Sequence, residues 1–298
     1  ELKRVVMQSS QPLVSVVIPC YNHEKFVQDS IQSVIDQTYE NIELIIIDDG
    51  SKDGSVEKIQ KMVDICEQRF ARFEFRHRAN IGLSATLNEA LEWCEGKYFS
   101  SIASDDQMLN YKTSMQVKYL ERSQEVIAVF GGVYFIDDSN EIIEKKVNKY
   151  KVYSFKEIFM HKHDLPAPTQ MIVLKALKEI QGFNADIKIE DWFMLLKLSS
   201  LGKVVYQDKI YSKYRQHANN FSHNIDVMQS ERLKVINLFS DDILYGDAKR
   251  RLEVISINEY ILVDKKKSLM LLFKYIRKNK IFLINPSFFK IFLKYIRY

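Results

Sequence analysis

The sequence is poor in cysteine, with only Cys20, Cys66 and Cys94 among 298 residues. Their number is odd, they are widely scattered, and no C-x-x-C pair occurs, so neither a disulfide framework nor a cysteine-based zinc site is expected. Thiols of this kind fit a reducing compartment such as the cytoplasm.

Long apolar runs are also missing. Residues 1–13 hold no apolar core like that of a secretory signal, and no run approaches the roughly 18 apolar residues that a membrane-spanning helix needs. We find no internal repeat and no low-complexity segment. The expectation is a chain that is neither exported by a visible signal nor threaded through a bilayer.

The composition is that of a folded globular protein, with 46% apolar, 28% charged and 12% aromatic residues. The net charge of +4 is unevenly distributed. Residues 265–298 contain ten Lys and Arg and no acid, which leaves 4 minus 10, or about −6, for the remainder. The body is therefore acidic and the tail strongly basic.

Strand and helix patterns alternate along the first third of the chain. Short apolar runs at 14–18, 43–47, 73–75 and 98–102 predict strands, and the segments after the first three have helical periodicity. This order predicts a mostly parallel sheet with helices on both faces. Residues 126–173 favour strands and loops, residues 192–201 a helix, and the chain after residue 217 is predicted to be helical.

Polar and acidic residues follow three of the predicted strands. Ligands of such sheets bind beyond the carboxyl ends of the strands. Two acidic pairs are expected to converge there, and their repulsion calls for a cation or for donors from a ligand. The three segments are Pro19-Cys20-Tyr21-Asn22, Asp48-Asp49-Gly50-Ser51 and Ser104-Asp105-Asp106.

Each of these patterns alone has an ordinary structural explanation. An Asp-Asp pair after a strand often caps a helix or forms a turn. Glu190 and Asp191 equally suit the N-terminus of a helix. Trp93 and Trp192 are more typical of a core than of a sugar-binding surface.

Six segments taken together resemble the large inverting glycosyltransferase family 2, which has the GT-A fold. They occur in the family's order and near its spacing, and they span about residues 12–222. The segments are 14–22, 46–55, 80–84, Ser104-Asp105-Asp106, Glu190-Asp191-Trp192 and Tyr214-Arg215-Gln216-His217.

The resemblance implies a nucleotide-sugar site. Asp49 would accept a hydrogen bond from the base, Tyr21 would lie against the ring, and Pro19 would line the same pocket. Uridine is favoured, because a carboxylate accepts well from a uracil imide and base stacking contributes about 1–3 kcal/mol. Further contacts to the nucleotide sugar are expected from Asn22, Asn80, Gly82 and Ser104, with Asn80 and Gly82 in a tight turn that directs N–H groups toward phosphate.

The same resemblance implies a divalent cation, Mn²⁺ or Mg²⁺, with Asp106 as its ligand and Asp105 on the ribose. Ser104 stands where an acid is often found. Arg215 is expected at the diphosphate and His217 at the metal, although a surface arginine and a structural histidine remain alternatives. Many relatives carry Arg at the position of Leu87.

Asp191 matches the family's general base, which takes the proton from the attacking acceptor hydroxyl. Glu190 and Trp192 are expected to bind the acceptor. In-line displacement inverts the anomeric carbon, so an α-linked donor would give a β-linkage.

The basic tail is predicted to form two amphipathic helices, one starting near residue 265 and one at Asn285-Pro286. Such helices suit an anionic membrane surface. Docking onto the catalytic domain and pairing with a second copy are the alternatives. A membrane location implies a lipid-linked saccharide as acceptor. Nucleic acid is not an expected partner, because the positive charge is confined to the tail and the proposed cleft is acidic.

The complete expectation is an α/β GT-A domain at residues 1–222, with a nucleotide-sugar half at about 12–110 and an acceptor half at about 111–222, followed by a helical extension at 223–298. It would transfer a hexose or N-acetylhexosamine from a UDP-sugar during bacterial O-antigen or capsule synthesis, on the cytoplasmic face of the cell membrane. One alternative is a noncatalytic nucleotide-sugar or glycan-binding module. A nucleotidyltransferase would require a Gly-rich basic loop after the first strand, where this chain has Pro19-Cys20-Tyr21-Asn22-His23.

Overall fold

The computed structural model describes residues 11–216, 224–279 and 294–295. They divide into two units, the first formed by residues 11–155 and 163–216 and the second by residues 156–162 and the described residues after 223. The strands are β1 (Val14–Cys20), β2 (Ile42–Asp48), β3 (Arg72–His77), β4 (Tyr98–Ser101), β5 (Gln107–Met108), β6 (Val126–Ile136), β7 (Ile142–Lys146), β8 (Lys151–Tyr153), β9 (Met171–Val173) and β10 (Lys203–Arg215). The helices are α1 (Val27–Ile35), α2 (Ser55–Gln60), α3 (Val63–Arg69), α4 (Leu83–Trp93), α5 (Lys112–Leu120), α6 (Phe155–Phe159), α7 (Leu174–Glu179), α8 (Glu190–Ser199), α9 (Ile225–Asn237), α10 (Tyr245–Val263) and α11 (Lys265–Lys278).

The first unit is built on one mixed sheet, in the order β3-β2-β1-β4-β9-β6-β10-β5. Strands β3, β2, β1 and β4 are parallel, as the sequence predicts. Strand β9 runs antiparallel to both β4 and β6, and it joins the parallel part to a second parallel pair, β6 and β10. The α/β expectation is confirmed, and the antiparallel link makes the sheet mixed.

The central strands are buried on both faces, which explains their continuous apolar character. Val27, Ile31 and Val34 of α1 pack into the same core. The apolar stripe at residues 56–66 forms two short helices instead of one. The N–H of Met62 bonds to the carbonyl of Ile59 in a tight 3₁₀-type turn, which separates α2 from α3.

The buried side chain of Glu43 ties together the amino ends of the strands, opposite the edge that carries the acidic pairs. Its Oε1 accepts from the Ser15 hydroxyl at 2.5 Å and from the N–H groups of Glu95 and Gly96 at 2.6 and 3.0 Å. Its Oε2 lies 2.6 Å from Nη1 of Arg72, which also lies 3.1 Å from the exposed carboxylate of Glu95. Arg72 therefore joins one buried and one exposed acid.

Replacing Glu43 with Gln is expected to lower the free energy of unfolding by about 1–3 kcal/mol, because it removes the charge of a buried acceptor and turns an amide donor toward the partly exposed Arg72. Glu95→Gln is the matched control, since it removes the exposed acid of the same arginine and should cost about 0–1 kcal/mol. Urea unfolding of both variants measures the difference. Equal costs would contradict this account of Glu43.

The second unit contains α9, α10 and α11, and the predicted helical extension is confirmed for the described residues. Its core is formed by Val254, Ile257 and Ile261 of α10 and by Leu272 and Tyr275 of α11. The Asp264 side chain accepts from the N–H of Lys267 at 2.9 Å and caps α11. The second tail helix, predicted from residue 285, falls almost wholly outside the described residues. Within the described ranges, no helix is long and apolar enough to cross a membrane.

Candidate active site

Three loops meet at the carboxyl edge of the parallel strands. The backbone N–H of Asn22, after β1, donates to the Ser51 hydroxyl at 2.8 Å, and the Asn22 amide oxygen accepts from the N–H of Lys52 at 2.8 Å. His23 Nδ1 lies 2.7 Å from the hydroxyl of Ser104, in the loop after β4. The expected convergence of these loops is confirmed. Asn22, predicted to contact the nucleotide sugar, uses its side-chain oxygen to hold the loop after β2.

Asp49 lies beneath the turn that leads into α4. Its carboxylate accepts from the N–H groups of Ile81 and Gly82 at 2.8 and 2.9 Å, and from the guanidinium of Arg78. Gly82 has φ +90°, which favours glycine at this turn. A carboxylate offers about four acceptor positions. Three of them are used by donors of the chain itself.

Arg78 is a site residue to which the sequence analysis assigned no role. Besides Asp49, it binds the carboxylate of Glu89 at 2.7 Å and the hydroxyl of Thr86 at 2.8 Å. Burial alone would raise the pKa of Glu89, but hydrogen bonds from Arg78 and Arg76 outweigh it and lower that pKa. The sequence held one indication of this role, because Arg78 directly follows β3 and so lies at the same edge of the sheet as the other site residues.

Two further residues leave a surface open to a nucleotide. The Tyr21 ring is 47% exposed at the end of β1, with the partly exposed Pro19 two residues before it. Asn80 is exposed in the turn before α4. The aromatic face of Tyr21 is thus available for stacking.

The acidic motif after β4 is buried and held by β10. Oδ1 of Asp106 accepts from the backbone N–H of Arg215 at 2.8 Å, and the Asp105 carbonyl accepts from Nε of Arg215 at 2.8 Å. Burial, followed by the charge of Asp105, raises the pKa of Asp106 well above its usual value. Ser104 is buried beside them and bonds to His23.

Arg215 is positioned differently from the sequence expectation of a diphosphate contact. The side chain is fully buried, its guanidinium lies 4.3 Å from the centre of the Phe26 ring, and it donates to the carbonyl of Asp137 and to Oδ1 of Asn140. These protein acceptors take the place of a phosphate. Arg215 therefore fixes the loop after β4 against the β6–β7 turn.

Glu190 and Asp191 form the first turn of α8. Burial, and then the charge of Asp191, raises the pKa of Glu190 to about 8, and burial also raises the pKa of Asp191. The Asp191 carboxylate accepts from the N–H of Trp192 at 2.7 Å. Trp192, predicted to bind the acceptor, is instead only 3% exposed, so its ring belongs to the core.

Glu190→Gln is expected to reduce the loss of stability between about pH 4.5 and pH 8. The folded state holds a proton on Glu190 up to about pH 8, whereas the ordinary pKa is 4.5. The resulting stabilisation is complete below the unfolded pKa, falls as the pH rises between the two values, and is gone above about 8. A neutral Gln makes no such contribution. Urea unfolding near pH 4.5 and near pH 8, without divalent cations, should show a smaller decrease for the variant; equal decreases would contradict the assignment.

Tyr214 lies near two acidic pairs, Asp105-Asp106 and Glu190-Asp191. Burial raises the pKa of its phenol, and so do the charges of four nearby carboxyls, those of Asp106, Asp191, Asp105 and Glu190. Its ring lies 5.7 Å from that of Phe135 in the paired strand β6. In the part of the chain that the structure describes, its hydroxyl makes no hydrogen bond. Tyr214 belongs to a matched segment, but the sequence offered no reason to give it a role, since only the pairing of β10 brings it near the acids.

The acidic motif fits a divalent cation bound together with a ligand. Among the described residues, no group of three or more His, Cys, Asp and Glu side chains forms a complete metal site. Mg²⁺ commonly takes one or two carboxylates, with waters and substrate phosphates completing its shell, and Mn²⁺ also prefers oxygen ligands. The buried Asp106, whose pKa is raised beside Asp105, is a carboxylate whose charge a cation would offset. His217, the other predicted ligand, lies outside the described residues.

The fold and the sequence together define a glycosyltransferase of the GT-A type. More narrowly, residues 15–181 match the family model described as Glycosyl transferase family 2, so the chain belongs to that family. The resemblance inferred from the six segments is confirmed.

Individual relatives agree with this assignment. An uncharacterized glycosyltransferase of Methanocaldococcus jannaschii is 31% identical over 215 residues, which cover 71% of this chain and 73% of that protein. The structure of S. aureus TarS 1–349 in complex with UDP-GlcNAc superposes with a TM-score of 0.63 and 17% identity, covering 84% of this chain and 73% of that TarS fragment. The mannosyltransferase PcManGT from Pyrobaculum calidifontis, in complex with GDP-Man and Mn²⁺, gives a TM-score of 0.61 and 12% identity, covering 96% and 85%. The two structures support the fold.

Proposed function

We propose that this glycosyltransferase moves a hexose or N-acetylhexosamine from a UDP-sugar to a hydroxyl of a saccharide acceptor, with inversion at the anomeric carbon. The observation that carries the proposal is the proximity of both acidic pairs, Asp105-Asp106 and Glu190-Asp191, to the buried phenol of Tyr214. One pair suits the diphosphate end of a donor and the other suits a hydroxyl that must lose a proton.

The nucleotide side of the proposal rests on Asp49 and Tyr21. Asp49 is held by Arg78 and two backbone N–H groups, which orient its carboxylate as an acceptor for an imide N–H. The exposed ring of Tyr21 offers a stacking face. TarS, which has the same fold, is known with UDP-GlcNAc. These features favour uridine as the base.

The departing diphosphate is assigned to the side of Asp106. The backbone N–H of Arg215 donates to this buried carboxylate, so its orientation is fixed before a ligand binds. A divalent cation bound there supplies positive charge to the leaving group. PcManGT, whose complex contains Mn²⁺, supports the choice of metal. We assign Asp105 to the ribose.

Proton removal is assigned to Asp191, with Glu190 binding the acceptor. A raised pKa makes a carboxylate a stronger base once it is ionised, which suits it to accept a proton from a hydroxyl near neutral pH. The pair titrates jointly, and the form with one proton supplies both an acceptor and a donor. Attack from the face opposite the diphosphate inverts the centre and gives a β-linkage from an α-linked donor.

Release of UDP from a panel of UDP-sugars, with Mn²⁺ or Mg²⁺ and a bacterial lipid extract as acceptor, tests the proposal. We expect metal-dependent turnover of one donor, with a β-linkage in the isolated product by NMR. GDP-sugars and other nucleotide sugars are the controls for the base. Saturable binding of UDP-sugars without turnover on any acceptor would contradict the transferase and favour a noncatalytic binding module.

We further propose that the enzyme acts at the inner face of the bacterial cell membrane, on a lipid-linked saccharide, in O-antigen or capsule synthesis. Support comes from α11, where Met270 and Phe273 are 63% and 64% exposed. Lys266 and Arg277 share this face with them at helical spacing. Apolar side chains between cations suit an interface with anionic headgroups.

The double variant Met270→Gln/Phe273→Gln is expected to weaken binding to vesicles that contain phosphatidylglycerol by about tenfold or more, because two apolar side chains no longer enter the interface. Leu238→Gln/Ile243→Gln is the matched control, since it removes two exposed apolar residues elsewhere in the same unit. Sedimentation with vesicles measures both. Equal binding of the two variants would contradict the role of the α11 face.

A further inference from the structure

The helices α9, α10 and α11 line a partly open cavity of about 160 Å³ within the second unit. Three cations contribute to its lining, Arg232 from α9 and Lys274 and Lys278 from α11. The carboxylate of Glu253 also lies in the lining, 3.8 Å from Nζ of Lys278. The cavity wall therefore carries a net charge of three minus one, or +2.

The innermost cation has an unsatisfied donor. Arg232 is 8% exposed, and its Nη1 lies 2.9 Å from both carboxylate oxygens of Glu259. In the described part of the chain, however, its buried Nε and the buried Nε2 of Gln229, another lining residue, have no hydrogen-bond partner. Buried donors without partners are rare in folded proteins and cost free energy.

The remaining wall is apolar, formed in part by Leu252, Ile257 and Leu271. An engineered cavity of about 150 Å³ is known to hold benzene, so this cavity has room for a small anionic group and a few carbon atoms. A purely polar anion would leave the apolar wall in contact with water. The lining thus suits a ligand with one anionic and one apolar end.

The rim of the cavity borders the exposed apolar face of α11. Lys274 follows Met270 by four residues and precedes Lys278 by four, so it lies between that face and the cavity on the helix surface. Both lysines are exposed, which places them at the mouth. A molecule in the interface contacted by Met270 and Phe273 would therefore meet the two lysines first.

We propose that this cavity is a specific site for the phosphate of an amphipathic phosphate ester, whose apolar chain follows the apolar wall. The site rests on the membrane association proposed above and gives it a defined lipid contact. Lys274 and Lys278 bind the phosphate oxygens at the mouth, and the apolar chain packs against Leu252, Ile257 and Leu271.

Calorimetric titration of the full chain with hexyl phosphate tests the site, with inorganic phosphate and hexanol as separate probes. We expect one saturable site for hexyl phosphate. Inorganic phosphate and hexanol should each bind at least about tenfold more weakly. Lys274→Gln/Lys278→Gln should weaken hexyl phosphate by about tenfold or more. Lys266→Gln/Arg277→Gln removes the same charge from the same helix, away from the cavity, and should change the affinity less than about twofold. Ser256→Leu, which places an apolar side chain in the cavity without altering its charge, should abolish binding.

Three results would overturn the proposal: the absence of saturable binding, equal losses in the two charge-removal variants, and inorganic phosphate binding as tightly as hexyl phosphate. The last result would identify a simple phosphate site. Sugar transfer to a water-soluble acceptor is measured separately, so that a failure of the cavity proposal can be told from a failure of the catalytic proposal. Lys274→Gln/Lys278→Gln should retain this transfer. If only the cavity proposal is wrong, turnover remains; if only the catalytic proposal is wrong, hexyl phosphate still binds.

Discussion

Replacing Asp191 with Asn is expected to lower kcat by about 10²–10⁴, because the acceptor hydroxyl then loses the group that takes its proton. Asn has nearly the same shape and keeps an oxygen that can accept from the N–H of Trp192, so the first turn of α8 should persist. Binding of the donor should change little, since the proposed role concerns the acceptor. Steady-state kinetics together with calorimetry of UDP binding separates the two quantities.

Glu190→Gln is the matched control for Asp191. It also removes one carboxylate of the coupled pair, but it keeps the proposed base and should act mainly through a higher KM for the acceptor. The acid limb of the pH profile should stay close to that of the unsubstituted enzyme, because Glu190 holds its proton up to about pH 8 and is therefore neutral where Asp191 ionises. If instead Glu190→Gln eliminated turnover and Asp191→Asn preserved it, the base would be Glu190.

Replacing Asp106 with Asn is expected to lower kcat/KM by about 10²–10³ and to abolish the dependence of UDP binding on Mn²⁺, because the proposed carboxylate ligand becomes a neutral amide. Asn retains an oxygen that can accept from the N–H of Arg215, so the loop after β4 should remain in place. Calorimetry of UDP binding with and without Mn²⁺ gives a measurement independent of turnover.

Asp105→Asn provides the comparison for Asp106, since it changes the neighbouring acid by the same chemistry. Its proposed contact is the ribose, so it should weaken UDP binding while preserving the effect of Mn²⁺. If Asp106→Asn preserved that effect and Asp105→Asn abolished it, the two roles would be exchanged. If neither variant altered it, the metal proposal for this motif would be wrong.

The parallel part of the sheet was accessible from the sequence because each strand there is a local pattern. β1, β2 and β4 are apolar runs bounded by turn residues, and their crossovers have helical periodicity. The sequence did not predict the bounds of the long strands β6 and β10. They pair with each other although more than sixty residues separate their starts, and β9 enters between β4 and β6. Such pairings depend on the other strands, so no local pattern specifies them.

The candidate site divides in the same way. Asp49 and Asp106 were proposed from segments that follow strands, and the loops after those strands do meet at one edge. Arg78 and Tyr214 were given no role, and Arg215 was expected to bind phosphate. Whether an arginine binds a phosphate or supports a loop depends on which acceptors surround it, and those of Arg215 come from residues more than seventy positions away.

The sequence by itself determined the family, the alternation of strands and helices in the first third, and the separation of an acidic body from a basic tail, because motif order, periodicity and charge are local properties. Only the tertiary structure decided that Trp192 is buried, that Tyr214 lies near both Asp105-Asp106 and Glu190-Asp191, and that Arg232 lines a cavity between helices. These features depend on which distant segments pack together, since burial and charge proximity arise when the chain brings separate elements into contact.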